Sequence, residues 1–350
     1  MQKLIGIEDL INNIDNYLII DLRSPLEYEQ GTILNAINIP LLDNEARKIV
    51  GTLYKEDQKE AYREGLKVGM SRLPVIFDQI LKLKEEQPSK EIVLFCFRGG
   101  TRSKSVQAML EVLNIHTYKL DGGYKAYRRY VIVNLPLYLN KINWLVLTGN
   151  TGCGKTLILQ RLLNEDYPVV DLENHANHRG SVFGSLGLGS SVSQCNFESN
   201  LFLILKKYVD NNITNIFIEC ESKKIGNISL PKELYDKMQI SPHILINVSI
   251  DRRVEIISKD YGSVDIDDEQ IKEIIKNNQY FKVVLGNKWV DGILGDIEQK
   301  DYNTFVRKML LDYYDKLYSH SQSKYTYDLA ITSDSENEII AILKEYYNKK

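Results

Sequence analysis

Between residues 149 and 156 the chain reads Gly149-Asn150-Thr151-Gly152-Cys153-Gly154-Lys155-Thr156. This is a complete match to the phosphate loop G-x-x-x-x-G-K-[ST]. It constrains the fold strongly, because such glycines work only where a buried strand turns into a helix. The apolar run Asn143 to Leu147 supplies the strand, and Lys155 to Leu163 supplies the helix. Backbone amides from Asn150 to Lys155 are expected to wrap a phosphate chain. Lys155 would contact the terminal phosphates, and Thr156 is a candidate Mg²⁺ ligand. The motif does not name its ligand: a nucleotide or any pyrophosphate ester suits the same cradle.

A second loop of this kind lies upstream. Ile92 to Phe95 is a short apolar run that ends at Cys96, followed by Phe97, Arg98, Gly99, Gly100, Thr101, Arg102 and Ser103. Ser103 to Leu113 has helical apolar spacing through Val106, Met109, Leu110 and Leu113. Successive amides in a glycine-rich turn form an anion nest, and the following helix adds its positive end. Such surroundings favour thiolate over thiol and make cysteine a nucleophile. Cys96 is therefore the candidate catalytic residue, with Arg98 to Ser103 as its anion loop. The spacing Cys96-x5-Arg102 also fits cysteine phosphatases, although Phe95 stands where tyrosine phosphatases usually have His. Cys153, Cys195 and Cys220 form no C-x-x-C pair, which argues against a zinc ribbon.

Strand runs at Tyr17–Asp21 and His116–Leu120 alternate with helical stretches, the pattern of a parallel α/β sheet. A seam is expected between Val133 and Lys141, around Pro136. This gives domains at 1–135 and 141–350, and 350 residues can bury two cores. Further strands are expected at Val169–Asp171, Ile216–Glu219 and His243–Ile250. From Asp251 onward the chain reads as helical, most clearly from Asp301 to Tyr318. Glu219 and Glu221, at a strand end, are candidates to position a metal or water. His175 and His178 are spaced for one helical face, where a metal pair competes with an RNA- or phosphate-contacting loop. The net charge of −3 gives no global basic field. RNA affinity would then need a local cluster, for which Lys125, Arg128, Arg129, His178 and Arg179 are the candidates. No apolar run is long enough to span a membrane, and the N-terminus lacks a signal-peptide core, so a cytoplasmic protein is expected.

Asp21-Leu22-Arg23-Ser24-Pro25, Gly31-Thr32-Ile33, Ala36 to Pro40 and the Cys96 loop resemble rhodanese domains, with Thr32 where those often have His. Asp121-Gly122-Gly123-Tyr124 resembles the segment after the last rhodanese strand. Asp171-Leu172-Glu173, Ala176 with His178-Arg179-Gly180-Ser181, and Phe183-Gly184 extend the likeness. So do Gly51 to Lys55, Ser193-Gln194, Phe197-Glu198, Glu219 to Gly226 and Tyr313-Tyr314-Asp315. Together they are similar to the bacterial tRNA 2-selenouridine synthase family. Cys220 and Lys223 depart from that family's Glu-Asp-Glu-Ser-Arg pattern.

The resemblance implies an α/β chain. An N-terminal rhodanese-like parallel-sheet domain would precede a P-loop NTPase-like α/β domain with a helical C-terminal part. It implies a transferase acting on the wobble 2-thiouridine of tRNA, first by S-geranylation with geranyl diphosphate, then by selenium insertion from selenophosphate. No tightly bound cofactor is expected, Mg²⁺ is allowed, and an enzyme that makes selenophosphate is a conceivable contact. Read from the residues alone, two alternatives stay open. One is a sulfurtransferase coupled to a nucleotide kinase or ATPase; the other is a nucleotide-gated tRNA-binding module without catalysis.

Overall fold

The computed structural model describes residues 3–262, 267–317 and 325–350. The chain forms two compact units: Met1–Leu135 with Ser193–Phe202, and Pro136–Val192 with Leu203–Lys350.

The first unit carries strands β1 (Lys3–Ile5), β2 (Tyr17–Asp21), β3 (Ile37–Asn38), β4 (Glu91–Phe95) and β5 (Thr117–Leu120), all parallel in the order β1-β5-β4-β2-β3. Its helices are α1 (Ile7–Asn12), α2 (Pro25–Glu29), α3 (Asn44–Glu56), α4 (Gln58–Glu86), α5 (Thr101–Val112) and the start of α6 (Gly123–Lys141). Parallel strands are buried on both faces, which explains runs such as Ile92-Val93-Leu94-Phe95 with no polar alternation. Leu18, Ile20, Leu73, Ile76, Ile80, Leu94, Val106 and Leu110 form one core between β2, β4 and the helices. Fully burying each such side chain contributes roughly 1.5–3 kcal/mol.

The seam expected near Pro136 is not a loop. Helix α6 runs through it, and the division between units falls at Leu135 and Pro136 within that helix. Proline costs a helix one hydrogen bond and a steric clash, so it usually ends or kinks one; here the helix continues for another turn and more.

The second unit has a parallel sheet in the order β12-β11-β6-β8-β7. Its strands are β6 (Asn143–Thr148), β7 (Val169–Val170), β8 (Asn215–Glu219), β11 (His243–Asn247) and β12 (Tyr327–Thr332). A small hairpin, β9 (Lys224–Ile225) with β10 (Ile228–Ser229), follows β8. The strand expected from His243 to Ile250 ends at Asn247, because Ile250 already opens a helix. The chain after Asp251 is not helical throughout, since β12 returns to the sheet edge beside β11.

Helices α7 (Lys155–Asn164), α8 (Leu172–Ala176), α9 (Gln194–Asp210), α10 (Lys232–Ile240), α11 (Ile250–Gly262), α12 (Asp268–Asn277), α13 (Asn287–Glu298), α14 (Tyr302–Lys308) and α15 (Glu336–Asn348) complete the described helices apart from short 3-10 and π segments. The stretch expected as one helix from Asp301 is α14 followed by a π-helical segment, Met309–Tyr314; Tyr318 lies outside the described residues. Ile158, Leu159 and Leu162 of α7 share a core with Ile331 of β12 and Ile339, Ile340 and Leu343 of α15. A second core joins Val254, Ile275, Phe281, Ile293, Phe305, Met309 and Leu310. Among the described residues no helix is long and apolar enough to cross a membrane.

Candidate functional site

In the first unit Cys96 sits at the carboxyl end of β4, where open parallel sheets place ligands. The thiol is buried, and its Sγ lies 3.3 Å from the Ser103 hydroxyl. The loop is fixed by backbone geometry. Gly99 adopts φ +64°, and a Cβ there would stand 2.8 Å from the Leu120 carbonyl. Gly123 adopts φ +59°, and a Cβ on it would collide with the Cys96 carbonyl. Both positions therefore need glycine. Tyr124 and Lys125 donate backbone N–H groups to the carbonyls of Cys96 and Phe97, each at 2.9 Å. Lys119, which the sequence did not single out, donates to the Gly99 carbonyl at 2.9 Å.

The Asp21-Leu22-Arg23 motif serves as scaffold. Buried Arg23 forks onto Asp21, reaching Oδ2 at 2.6 Å, and also donates to the Gly31 carbonyl. Its guanidinium lies 3.8 Å over the Tyr124 ring. Thr32 donates to Asp21 Oδ2 at 2.9 Å. Breaking a buried, hydrogen-bonded pair of this kind typically costs about 3–5 kcal/mol.

Arg98 is exposed, whereas Arg102 turns to Glu27 and donates to it at 2.6 Å and 3.2 Å. Arg102, expected among the anion ligands, thus pairs with a carboxylate, because α2 brings Glu27 beside the first turn of α5. Burial alone would raise the Glu27 carboxyl, but the Arg102 guanidinium, the Ser24 amide and Arg47 pull it down to about 2. A carboxyl held that low in the fold, against 4.5 unfolded, stabilises the fold fully above about pH 5. That contribution drains away as pH falls toward 2. Glu27→Gln is expected to lower unfolding free energy by roughly 2 kcal/mol at pH 7, the gap to wild type closing as pH falls from about 5 toward 2. Urea titrations at stepped pH measure it, and a gap that stays constant over that range contradicts the assignment.

In the second unit the phosphate loop joins β6 to α7. Gly152 and Gly154 take φ +80° and +85°, a region that favours glycine. A Cβ on Gly149 would stand 2.6 Å from the Ile246 carbonyl. Lys155 curls back to the Gly149 carbonyl at 3.2 Å, and Thr156 donates to Glu173 Oε2 at 2.9 Å. The Glu173 amide donates to Glu219 Oε1 at 2.8 Å. Arg253 clamps the loop from α11, donating to the Thr151 carbonyl at 2.9 Å while ion-paired with Asp315. Its only sequence signal was Asp315 within Tyr313-Tyr314-Asp315.

Glu219 and Glu221 do converge on this loop, together with Glu173 and Asp171. Burial, then the neighbouring carboxylates, push Glu219 well above its ordinary range. Burial and the charge of Glu173 raise Glu221 to about 8 against the opposing pull of Lys155. The Glu219 Oε2 atom is buried without a hydrogen-bond partner. Among the described residues no three His, Cys, Asp or Glu side chains are disposed to hold a metal ion. The shared helical face for His175 and His178 is absent, because α8 stops at Ala176 and Asn177 turns left-handed at φ 49°. The His178 ring instead fills the space beside Gly184 and Gly226.

A cavity of about 730 Å³ opens on Gly152, Lys155 and Thr156. Its polar rim includes Glu173, Glu221, His178 and Arg179; its apolar wall includes Phe183, Ile257, Ile271, Phe305, Met309 and Leu310. Arg179 is engaged with Asp260 at 2.9 Å and stacked 4.9 Å over Tyr261. Of the other basic candidates, Arg128 is ion-paired with Glu198, while Lys125 and Arg129 are exposed.

Residues 7–130 match the rhodanese-like domain family, and residues 142–285 match the tRNA 2-selenouridine synthase AAA domain. A tRNA 2-selenouridine synthase of Hydrogenovibrio crunogenus is 30% identical over 339 residues, covering 89% of this chain and 91% of that protein. The chain belongs to the tRNA 2-selenouridine synthase family. Its relative in Sulfurovum sp. is 30% identical over 368 residues, covering 95% of this chain and 96% of that one. A crystal structure described as the N-terminal domain of a putative ATP/GTP binding protein from Clostridium difficile 630 is 39% identical. It covers 37% of this chain and 99% of its own, with a TM-score of 0.34. Family membership agrees with the rhodanese-like and P-loop organisation expected from the motifs.

Proposed function

We propose that this member of the family is a tRNA-modifying transferase that converts wobble 2-thiouridine to 2-selenouridine in two steps. In the first, the uridine sulfur attacks C1 of geranyl diphosphate. A carbon–sulfur bond forms, the carbon–oxygen bond to diphosphate breaks, and the N3 proton is lost. In the second, the selenium of selenophosphate attacks C2 and geranylthiolate leaves, while water cleaves the phosphorus–selenium bond and phosphate departs.

The observation that carries this reading is the cavity that begins at the phosphate loop and continues between aliphatic and aromatic walls. Its volume lies in the usual range for small-molecule sites, ~300–1,000 Å³. A diphosphate with a hydrocarbon tail fits that combination: loop amides and Lys155 would take the leaving group, while Ile257, Phe305 and Met309 would cover the chain. The hard oxygens of Thr156 and Glu173 suit Mg²⁺, which would neutralise the departing diphosphate. The buried thiol of Cys96, at the mouth of an anion nest, would stand beside selenophosphate bound there. Exposed Lys125 and Arg129 would supply phosphate contacts.

Incubating the protein with 2-thiouridine-bearing tRNA, geranyl diphosphate and selenophosphate, then digesting the RNA for mass spectrometry, tests the proposal. S-geranyl-2-thiouridine should appear with the diphosphate alone, and 2-selenouridine once selenophosphate is added. ATP hydrolysis or thiosulfate sulfurtransfer without any change in the RNA would favour the coupled sulfurtransferase instead.

A further inference from the structure

The helical hairpin of α3 and α4 holds a feature the two-step chemistry leaves unused. No residue of α3 is buried, and the hairpin reaches the core only through α4 residues such as Leu73, Ile76 and Ile80. Yet two tyrosines stand beside the bend between the helices. Tyr54 is 46% exposed and Tyr62 50%, their rings packed edge to face with centroids 6.1 Å apart. Phe97, the residue next to Cys96, is 38% exposed, with the Arg98 guanidinium 5.9 Å from its ring centre. Helix α3 is tied to the Cys96 loop through Arg47, which reaches Glu27 at 3.3 Å, while Glu27 holds Arg102 of that loop at 2.6 Å. The charge of Arg98 also acts on the Tyr54 hydroxyl, which its hydrogen bond to Tyr62 raises. Lys55 and Lys59 are exposed at the same bend.

Apolar rings left in solvent beside a nucleophile call for an occupant. A base reacting at C2 must leave the anticodon stack, and aromatic faces with flanking cations replace the stacking it loses. We propose that Tyr54 and Tyr62, with Phe97 and Arg98, form a stacking platform that receives the unstacked wobble pyrimidine at the Cys96 loop. Lys55 and Lys59 then contact the flanking phosphates. The occupant follows from the flat, sequence-tolerant aromatic faces, the cationic Arg98 and the continuity of the patch with the Cys96 loop. This inference rests on the tRNA reading given above.

The test uses full-length protein and an anticodon stem-loop labelled for fluorescence anisotropy, carrying either 2-thiouridine or an abasic sugar at the wobble position. Wild type should bind the base-containing loop about tenfold more tightly, in line with the worth of one aromatic–base stack. Tyr54→Ala with Tyr62→Ala should erase that preference, and Tyr54→Phe with Tyr62→Phe should keep it, since the ring face is what matters. Thermal unfolding confirms that both double variants fold. A Tyr54→Ala/Tyr62→Ala protein that still prefers the base overturns the platform alone. Wild type that does not bind the stem-loop overturns the tRNA reading and the platform with it. Wild-type self-association lost in the alanine variant, without base preference, assigns the patch to a second copy of the chain and likewise overturns the platform.

Discussion

Replacing Cys96 by serine is expected to abolish selenouridine formation, by about a thousandfold or more, while S-geranylated tRNA accumulates. Serine preserves the short polar side chain beside Ser103, so the loop held by Gly99, Gly123 and the Tyr124 amide should keep its shape. What disappears is a polarisable, nucleophilic sulfur. Affinity for tRNA should change little, because no phosphate contact is assigned to the thiol. Nucleoside mass spectrometry on the Cys96→Ser protein reads both species at once. Selenouridine at the wild-type rate would remove Cys96 from the reaction.

The mirror-image result is expected for Lys155→Ala. Its ammonium is the one cation of the phosphate-loop sequence and, under the proposed function, would meet the diphosphate. Removing a comparable charge-stabilising donor elsewhere lowers rates by about 10²–10³-fold. Geranylation of 2-thiouridine tRNA should fall by that order. Selenation of tRNA geranylated beforehand should survive. Three features hold the loop without this side chain: left-handed Gly154 at the helix start, the Thr156–Glu173 hydrogen bond and Arg253 on Thr151. If both steps fall together, the assignment of one step to each loop is wrong.

The two loops were legible in the sequence because backbone geometry dictates their composition. Positive φ at Gly99, Gly152 and Gly154 leaves few alternatives to glycine. Side-chain pairing across the fold was not legible. Arg102 reads as an anion ligand from spacing, but its partner Glu27 is far away in sequence. Arg128 reads as a surface cation until Glu198 arrives beside it. Arg253 looks ordinary within Asp251-Arg252-Arg253 and becomes the clamp only because Asp315 fixes its guanidinium. Helix α6 hid its continuity behind Pro136, whose local cost is outweighed by buried Val131, Leu135 and Leu139 along the helix. Strand β12 was missed for a related reason. From Tyr327 to Thr332 only Ile331 is buried, and parallel pairing with β11 makes the segment a strand.

That late strand shapes how the second unit assembles. Until Tyr327 to Thr332 arrives, β11 presents an open row of amide and carbonyl groups, and the apolar face of α7 lacks Ile339, Ile340 and Leu343. Contacts so distant along the chain form slowly, since the loop between them must be closed first. A chain in which β12 has not yet docked would keep its β11 edge unpaired. Such an edge is a template for strands of other chains. Variants that loosen β12 would therefore expose that edge in the unit that holds the phosphate loop.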